Sequence, residues 1–582
     1  MYYYGLIIIY LKSIKIGDMN YIKIIIFLFV SSLAPAQSYQ WAKSATSTGA
    51  VNGVYSTTVD AAGNVYTTGF FQGTADFDPG IGTATLTSAG GVNDIFIAKY
   101  DINGSYIWAK AIGNVGDDRA TRIALDGVGN IVITGYFEFT VDFDPGVGTA
   151  TLTAPSGVNN IFFSKYDNNG NYLWANGIGS SGFDYSYDLA LDGSGNIFIT
   201  GYFEGTADFD PGVSITNLSS FGNGDIFFAK YDGNGNYLWA YNIGSTGTDF
   251  GNRINVDALG NVYITGHFRN TVDFDPGVSS VAQTSAGNGD LFFAKYDANG
   301  NYLWAKRIGN SYEDYVTDLA LDGLGNIYLT GNFRNTVDFD PSTGVTNLVT
   351  TGNYDLFFAK YDSNGNYLWA KRIGGAASSG IAVDASGEIF LTGVFTNVAD
   401  FDLGPGTANL TSAGVTDIFF GKYDFSGNYI WANSIGSTSD DISFSIELDG
   451  VGNLYISGYF VGTVDFDPSS GVANLVSAGN YDLYFAKYNS GSIGIESVVD
   501  KQFEFSIFPN PFDNETTIKT NSNLNQVRLI IYNALGQEVK MIKNISDNKI
   551  QIEKGDLQNG IYFVHLAKDN KLLAIKKIVI TD

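Results

Sequence analysis

The sequence predicts an all-β protein: a seven-bladed β-propeller with four-stranded blades, followed by a small C-terminal β-sandwich. Three observations predict it. The tripeptide Asp-Phe-Asp occurs seven times, at residues 76–78, 142–144, 208–210, 273–275, 338–340, 400–402 and 465–467, in steps of 66, 66, 65, 65, 62 and 65 residues. A fixed period of that kind marks an array of structural units. The seven tryptophans, Trp41, Trp108, Trp174, Trp239, Trp304, Trp369 and Trp431, keep the same beat, each in a Tyr-x-Trp-Ala frame. Finally, 71 Gly, 37 Tyr and 42 Phe among 582 residues describe short strands joined by tight turns.

One repeat shows how a blade is written. Residues 316–321 read as a strand, Asp322-Gly323-Leu324-Gly325-Asn326 as a turn, and 327–333 as a second strand. A long loop carries Asp338, Phe339, Asp340 and Pro341. Residues 355–361 form a third strand, 362–366 a second turn and 367–373 a fourth strand. Gly and Asn sit in the turns because tight hairpins need positive φ. The third strand is apolar on both faces (Leu356, Phe357, Phe358, Ala359), as a sheet packed between two neighbours requires. A linear β-solenoid, the main rival, has shorter rungs.

Each unit of about 65 residues is too small to bury a core alone, so the units must stack. Trp41 lies in a strand, 39–43, that precedes any first strand, and the last unit has no tryptophan strand after residues 481–488. The N-terminal strand is therefore expected to complete the last blade as its outer strand. Closure of that kind removes exposed sheet edges.

The front end reads as an export signal. Lys23, an apolar run over 24–30 and Ala34-Pro35-Ala36 give a basic start, a short greasy core and a small-x-small end. The expected signal is residues 1–36, with Met19 as the true start and cleavage between Ala36 and Gln37. The run is shorter than the ~20 apolar residues a span needs, and no transmembrane segment is expected in the mature chain.

Net charge is −27, and residues 37–500 hold 18 basic against 49 acidic side chains. An acidic body argues against nucleic acid, which needs basic stripes. There is no cysteine, so disulfides and thiolate metal sites are excluded. The charge balance changes near residue 500, which sets the expected organisation: propeller 37–490, linker 491–502, C-terminal domain 503–582. In that last domain, alternating apolar segments lie between Gly and Asn turns, as a small sandwich needs.

Two resemblances follow from these residues. The segments GNIYLTGNF (325–333) and DLFFAKYDSNGNYLWAKRIGG (355–375), with their copies, resemble the SBBP-type seven-bladed propeller repeat of bacterial exported proteins, over about residues 38–490. The tail, with Phe508-Pro509-Asn510-Pro511-Phe512, 527–533 followed by Leu535-Gly536-Gln537, Asn559-Gly560-Ile561-Tyr562, and Lys576-Lys577-Ile578-Val579-Ile580, resembles a type IX secretion (type A) C-terminal sorting domain. That resemblance implies the type IX machinery as partner, with passage through the periplasm by the signal peptide and then across the outer membrane. It also implies release or surface anchoring of the body.

Candidate sites come from topology. The two tight turns fall on one face of the ring, and the long loops and inter-blade connections on the other. The repeated aspartates Asp76, Asp78, Asp142, Asp144, Asp208, Asp210, Asp273, Asp275, Asp338, Asp340, Asp465 and Asp467 are candidates for Ca²⁺, a hard cation that takes several oxygens. Capping of their own loops is the competing and favoured reading. Acids also recur in the connections: Asp118, Asp184, Asp249, Asp314 and Asp441, with Ser379 at that offset in the shortened sixth. The third-strand lysines, Lys360 for example, should pair with a repeat aspartate such as Asp322 or Asp362.

Specificity is better sought in departures from the repeat. Behind the second-strand Thr-Gly or Ser-Gly stand Phe70, Tyr136, Tyr202, His267, Asn332, Val394 and Tyr459. Two residues on, blades four and five carry Arg269 and Arg334. Together, His267, Arg269 and Arg334 are candidates for an anionic ligand such as an acidic glycan. No His-Glu-x-x-His, Gly-x-Ser-x-Gly or phosphate loop occurs. The leading expectation is thus a non-enzymatic surface or secreted module that binds a glycan or protein. A carboxylate-dependent polysaccharide-degrading enzyme and a structural protein with Ca²⁺-stabilised loops are the alternatives.

Overall fold

A computed structural model describes residues 5–14, 22–31, 38–47, 49, 52–90, 92–478, 481–489, 505–520, 524, 527–533, 538–555, 557–568 and 571–581. Met19, the expected cleavage point at Ala36 and Gln37, and the linker 491–502 lie outside them. The chain divides into two units, residues 1–491 and 492–582. At the N-terminus, Gly5–Ile14 pairs antiparallel with Ile22–Ser31. Among the described residues, no helix is long and apolar enough to cross a membrane.

The first unit contains, among the described residues, six four-stranded antiparallel sheets and one six-stranded sheet, in which Ser38–Ser47 follows Ile442–Leu448, Asn453–Phe460 and Asp482–Asn489. Blade 5 is typical, with strands Tyr315–Leu321, Ile327–Phe333, Asp355–Tyr361 and Tyr367–Ile373 in that spatial order. The innermost strands of successive blades pack side by side, and Gly53–Val59 of blade 1 packs on Ile442–Leu448 of blade 7. The outer strand of blade 7 is Ser38–Ser47, paired antiparallel with Asp482–Asn489 so that Ala42 faces Ala486. This strand then continues onto Thr74–Asp76 of blade 1. The second and third strands of blade 1 are buried along their whole length, which is why no polar alternation appears in them.

The long loop is better described as an arm. In each blade a three-residue strand ending on the first Asp pairs with a second short strand, as Thr336–Asp338 does with Asn347–Val349. The middle residue of Asp-Phe-Asp fastens the arm. Phe77, Phe143, Phe209, Phe274, Phe339, Phe401 and Phe466 are all fully buried. Each meets the last phenylalanine of its blade's second strand edge to face, at 5.2–5.8 Å and 84–90°. In six blades its carbonyl also accepts a buried tyrosine hydroxyl, as Phe339 does from Tyr361 at 3.0 Å.

Neighbouring blades are laced on the turn face. Lys360 lies 3.7 Å from Asp322 in the first turn of its own blade, so Asp322 and not Asp362 is the partner. Lys165–Asp126 at 2.9 Å and Lys422–Glu388 at 2.6 Å repeat the pattern. The same ammonium groups reach the next blade: Lys165 donates to the Gly233 carbonyl at 2.9 Å and Lys295 to Ser363 at 3.4 Å. The turn aspartates are held by their own loops. Asp297 Oδ1 accepts from the Asn299 and Asn301 amides and Oδ2 from the Asn301 side chain, at 2.8–3.0 Å, which is Asx-turn and not EF-hand geometry.

The second unit forms a three-stranded sheet (Phe505–Phe508, Glu515–Thr520, Lys549–Glu553) and a four-stranded sheet (Glu538–Ile545, Val527–Asn533, Gly560–Lys568, Lys571–Ile580). Ile518 and Ile552 of the first share one apolar core with Leu529, Val564 and Ile578 of the second.

Candidate functional site

The repeat acids come first, because their uniformity made them candidates. In every arm the first Asp uses one oxygen to accept two backbone amides. Asp76 Oδ1 takes Asp78 N at 3.1 Å and Ala84 N at 2.8 Å, and Asp142, Asp208, Asp273, Asp338 and Asp465 do the same. The second Asp accepts the amide two residues on, as Asp78 does from Gly80 at 2.8 Å; Asp144, Asp210, Asp275, Asp340 and Asp467 repeat this. Among the described residues, no three His, Cys, Asp or Glu are gathered where a metal ion would sit. The Ca²⁺ reading therefore finds no ligand set, since that ion takes six to eight oxygens.

The acids of the inter-blade connections are buried braces. Asp118, Asp184, Asp249, Asp314 and Asp441 are fully buried. Asp314 accepts from the Asn310 amide at 3.0 Å and the Arg334 amide at 2.9 Å, tying the connection to the end of the second strand. Burial pushes Asp118, Asp184 and Asp314 up to about 7, and Asp94 and Asp225, which open their blades' third strands, up to about 6. The turn acids Asp60, Asp126 and Asp257 shift the other way: burial opposes it, but hydrogen bonds from Lys165 to Asp126, and from asparagine side chains and backbone amides to all three, hold them below the usual carboxylate range.

These shifts have opposite signs in stability. A raised carboxyl favours the folded state below the ordinary carboxylate pKa, and that contribution is lost as pH rises through about 7. A depressed one contributes above the ordinary value and is lost as pH falls below about 4. The melting temperature is therefore expected to peak at about pH 4–6 and to fall toward pH 8. Thermal scans across that range check it; a rise from pH 5 to pH 8 would contradict it.

The site that these scaffolds frame is a central funnel on the connection face. Every innermost strand carries a bulge, at the register shifts Val54/Ser56, Ala120/Arg122, Ser186/Asp188, Gly251/Arg253, Val316/Asp318, Ser378/Gly380 and Ser443/Ser445. A bulge leaves one residue unpaired and re-aims it. The seven unpaired residues, Tyr55, Thr121, Tyr187, Asn252, Thr317, Ser379 and Phe444, line a single cavity of about 390 Å³ together with Tyr315 and Arg253. They converge because the strands that carry them surround the ring's axis.

One position further along the same strands the lining becomes ionic. Arg122 pairs with Asp188 at 2.8 Å and Arg253 with Asp318 at 3.0 Å. Asp188 also accepts the Ile254 amide and Asp318 the Ile381 amide, both at 2.9 Å, so each pair bridges three blades. Burial pushes Glu447, three residues beyond the blade 7 bulge residue Phe444, up to about 7.

The wall above the ring is aromatic on one side. Phe183, Tyr185 and Tyr187 stack at 6.3 and 6.1 Å within 10° of parallel. Tyr202 stacks on Phe250 at 5.1 Å, and Phe250 on His267 at 4.6 Å. Across the mouth, Tyr55 meets Phe70 and Phe444, both at 5.0 Å, and its hydroxyl accepts from Arg119 Nη1 at 3.1 Å.

The three predicted binding residues separate. Arg269 and Arg334 line one cleft between blades 4 and 5, of about 380 Å³. His267 is a wall residue behind it: burial lowers its pKa to about 4, so the imidazole is neutral, and its Nδ1 is buried with no hydrogen bond. Desolvation thus leaves His267 as a neutral ring beside the two arginines. The bulge ring itself escaped the sequence reading. Its signal was present, because Tyr, Thr, Tyr, Asn, Thr, Ser and Phe occupy one column of an otherwise regular strand.

The family comparisons agree with the architecture. Residues 506–581 match the secretion system C-terminal sorting domain, and residues 303–332 match the beta-propeller repeat. The chain therefore carries a propeller repeat and a type IX sorting domain, and the sorting domain marks it for export to the cell surface or the extracellular space. It is 25% identical over 87% of its length to an uncharacterized WD repeat-containing protein, L264, of Acanthamoeba polyphaga mimivirus. It is 25% identical over 45% of its length to the regulatory protein FlaEY of Caulobacter vibrioides. The matches span 43% and 29% of those relatives.

Two solved structures are also similar. One is the extracellular domain of the hybrid two-component system BT4673 of B. thetaiotaomicron, at 11% identity, covering 91% of this chain and 81% of that one. The other is PorZ, a surface component of the type IX secretion system of Porphyromonas gingivalis, at 10% identity, covering 92% and 100%. With TM-scores of 0.23 and 0.21, both are too distant to bear on this chain's function.

The sorting domain has a direct consequence. A chain truncated before residue 503 is expected to accumulate in the periplasm, while the full chain reaches the surface or the medium. Fractionation and immunoblotting read this; equal amounts of both outside the cell would contradict it.

Proposed function

We propose that the exported propeller is a non-enzymatic binding module that receives a glycan or protein ligand in the central funnel. One observation carries this reading. The residues that hold the arms and first turns repeat from blade to blade, but the seven that meet in the funnel are of five kinds, Tyr, Thr, Asn, Ser and Phe. A scaffold has no need of that variation, whereas a ligand lying across a sevenfold ring is asymmetric and requires it. Stacked tyrosines beside amide and hydroxyl groups suit a ligand with both apolar and polar faces.

Cleavage of a polysaccharide is the second reading, and Glu447 is the observation that favours it. A carboxyl raised to about 7 resembles a general acid. The other funnel carboxylates, Asp188 and Asp318, are committed to arginines, which leaves no evident nucleophile or base.

Screening the secreted full chain on a glycan and protein array, with reducing-end assays on every glycan bound, tests both readings. Binding without turnover is the expected result. Turnover lost in Glu447→Gln would favour the enzyme, and silence across the array would count against the binding module.

A further inference from the structure

We propose that the cleft between blades 4 and 5 is a subsite for the carboxylate of an acidic sugar, a uronate or sialate unit, held by Arg269 and Arg334. This rests on the reading of the propeller as a glycan-binding module and names one class of glycan it takes.

The cleft has more donors than acceptors. Arg334 makes no ion pair among the described residues; its guanidinium lies 4.9 Å from the ring of Tyr312 and 5.8 Å from that of Tyr354. Cation–π contacts fix the plane of such a group without filling any of its N–H positions. Arg269 meets Glu313 through Nη2 alone, at 3.1 Å, and its Nε is buried with no partner. The cleft thus holds two guanidinium groups and one carboxylate, Glu313, which pairs with Arg269 alone, in a molecule whose net charge is −27. Two other arginines of the same blades serve the scaffold: Arg372 pairs with Asp355 at 2.6 Å, and Arg307 with Asp290. An unsaturated pair in so acidic a chain is what binding of an external anion requires.

The walls select the bearer of the anion. Asn270, Asn288 and the backbone at Gly287 complete the lining, and no aliphatic side chain contributes. A peptide carboxylate would bring side chains that need apolar pockets, whereas sugar hydroxyls need amides and carbonyls. A volume of about 380 Å³ is at the small end of ligand sites. The Arg269 backbone amide is anchored to the buried Asp249 at 2.7 Å and that of Arg334 to Asp314 at 2.9 Å, so both arms spring from fixed points.

The test uses the full secreted chain in calorimetric titrations with sialyllactose and oligogalacturonate, against lactose and the methyl-esterified oligogalacturonate, and with an acidic peptide. At least one acidic sugar is expected to bind roughly tenfold or more tighter than its neutral counterpart. Arg334→Ala should abolish that preference, and Arg334→Lys should not restore it, because a point charge lacks the fork. The melting temperature of both variants should stay close to the parent's, since Arg334 makes no ion pair among the described residues and Arg334→Ala loses only its contacts with the Tyr312 and Tyr354 rings. Equal binding of acidic and neutral sugars, preference unchanged in Arg334→Ala, or preference for the peptide would overturn this subsite while leaving the funnel intact. Failure of every sugar, acidic and neutral, would instead overturn the glycan-binding reading, and the subsite with it.

Discussion

Replacing Phe339 with alanine is expected to lower the stability of the propeller by about 3–5 kcal/mol, the usual cost of deleting a buried phenyl ring. Phe339 has no exposed surface. Its ring meets Phe333 at 5.4 Å and Phe357 at 4.8 Å, so its loss opens a cavity against two strands at once. The surrounding β-ladders limit how far the gap can collapse, which places the cost toward the upper end. Replacing Asp338 with alanine instead removes an acceptor for two amides, at 3.1 and 2.7 Å, on a part-exposed arm where water substitutes. That change is expected to cost only about 1 kcal/mol. Denaturant titration of the two variants reads the difference, and equal losses would contradict the assignment of Phe339 as the fastener of its arm.

Deleting residues 38–47 is expected to have a still broader effect. That strand closes blade 7 on Asp482–Asn489, and its removal leaves those backbone groups as a bare edge. The Ser47 amide also donates to Asp482 at 3.1 Å, and the Trp41 indole donates to the Ile102 carbonyl of blade 1 at 3.0 Å, so the seam between first and last blades is lost as well. An open ring with an unpaired, apolar edge strand should aggregate at concentrations where the parent is monodisperse. Size-exclusion chromatography with light scattering tests this. A deletion variant that elutes and melts like the parent would show that closure does not depend on the strand.

The architecture was legible in the sequence because each of its devices repeats. Seven Asp-Phe-Asp copies, seven tryptophan frames and the tight turns give the period, and Trp41 standing before any first strand points to closure by the N-terminus. The Asp-x-x-Gly-Asn turns fold as read, since one carboxylate facing two amides is a local event that spacing determines. The site was less legible for a physical reason. A bulge shifts one residue out of the alternating pattern, so Tyr187 or Asn252 cannot be assigned a direction from period-two reasoning. Convergence at the axis is also a tertiary property, which brings together residues some 65 positions apart. His267 shows the same limit. It stands two residues before Arg269, which makes it a candidate for an anionic ligand in the sequence, whereas burial lowers its pKa to about 4 and its ring stacks on Phe250.

The repeated acids and the variable ring thus divide the work between scaffold and site. Asp78 and its copies bind their own loops, and the bulge residues, which differ between blades, are gathered in one cavity. The most direct test of that division compares two variants of the secreted full chain by surface plasmon resonance, on whichever immobilised ligand the array identifies. Tyr187→Ala alters the funnel, and Leu324→Ala alters an exposed tight turn on the opposite face. The funnel variant is predicted to lose binding by roughly tenfold or more, as truncation of a contact aromatic does, while the turn variant binds as the parent does. Parental affinity in Tyr187→Ala, or loss confined to Leu324→Ala, would contradict the placement of the site in the funnel.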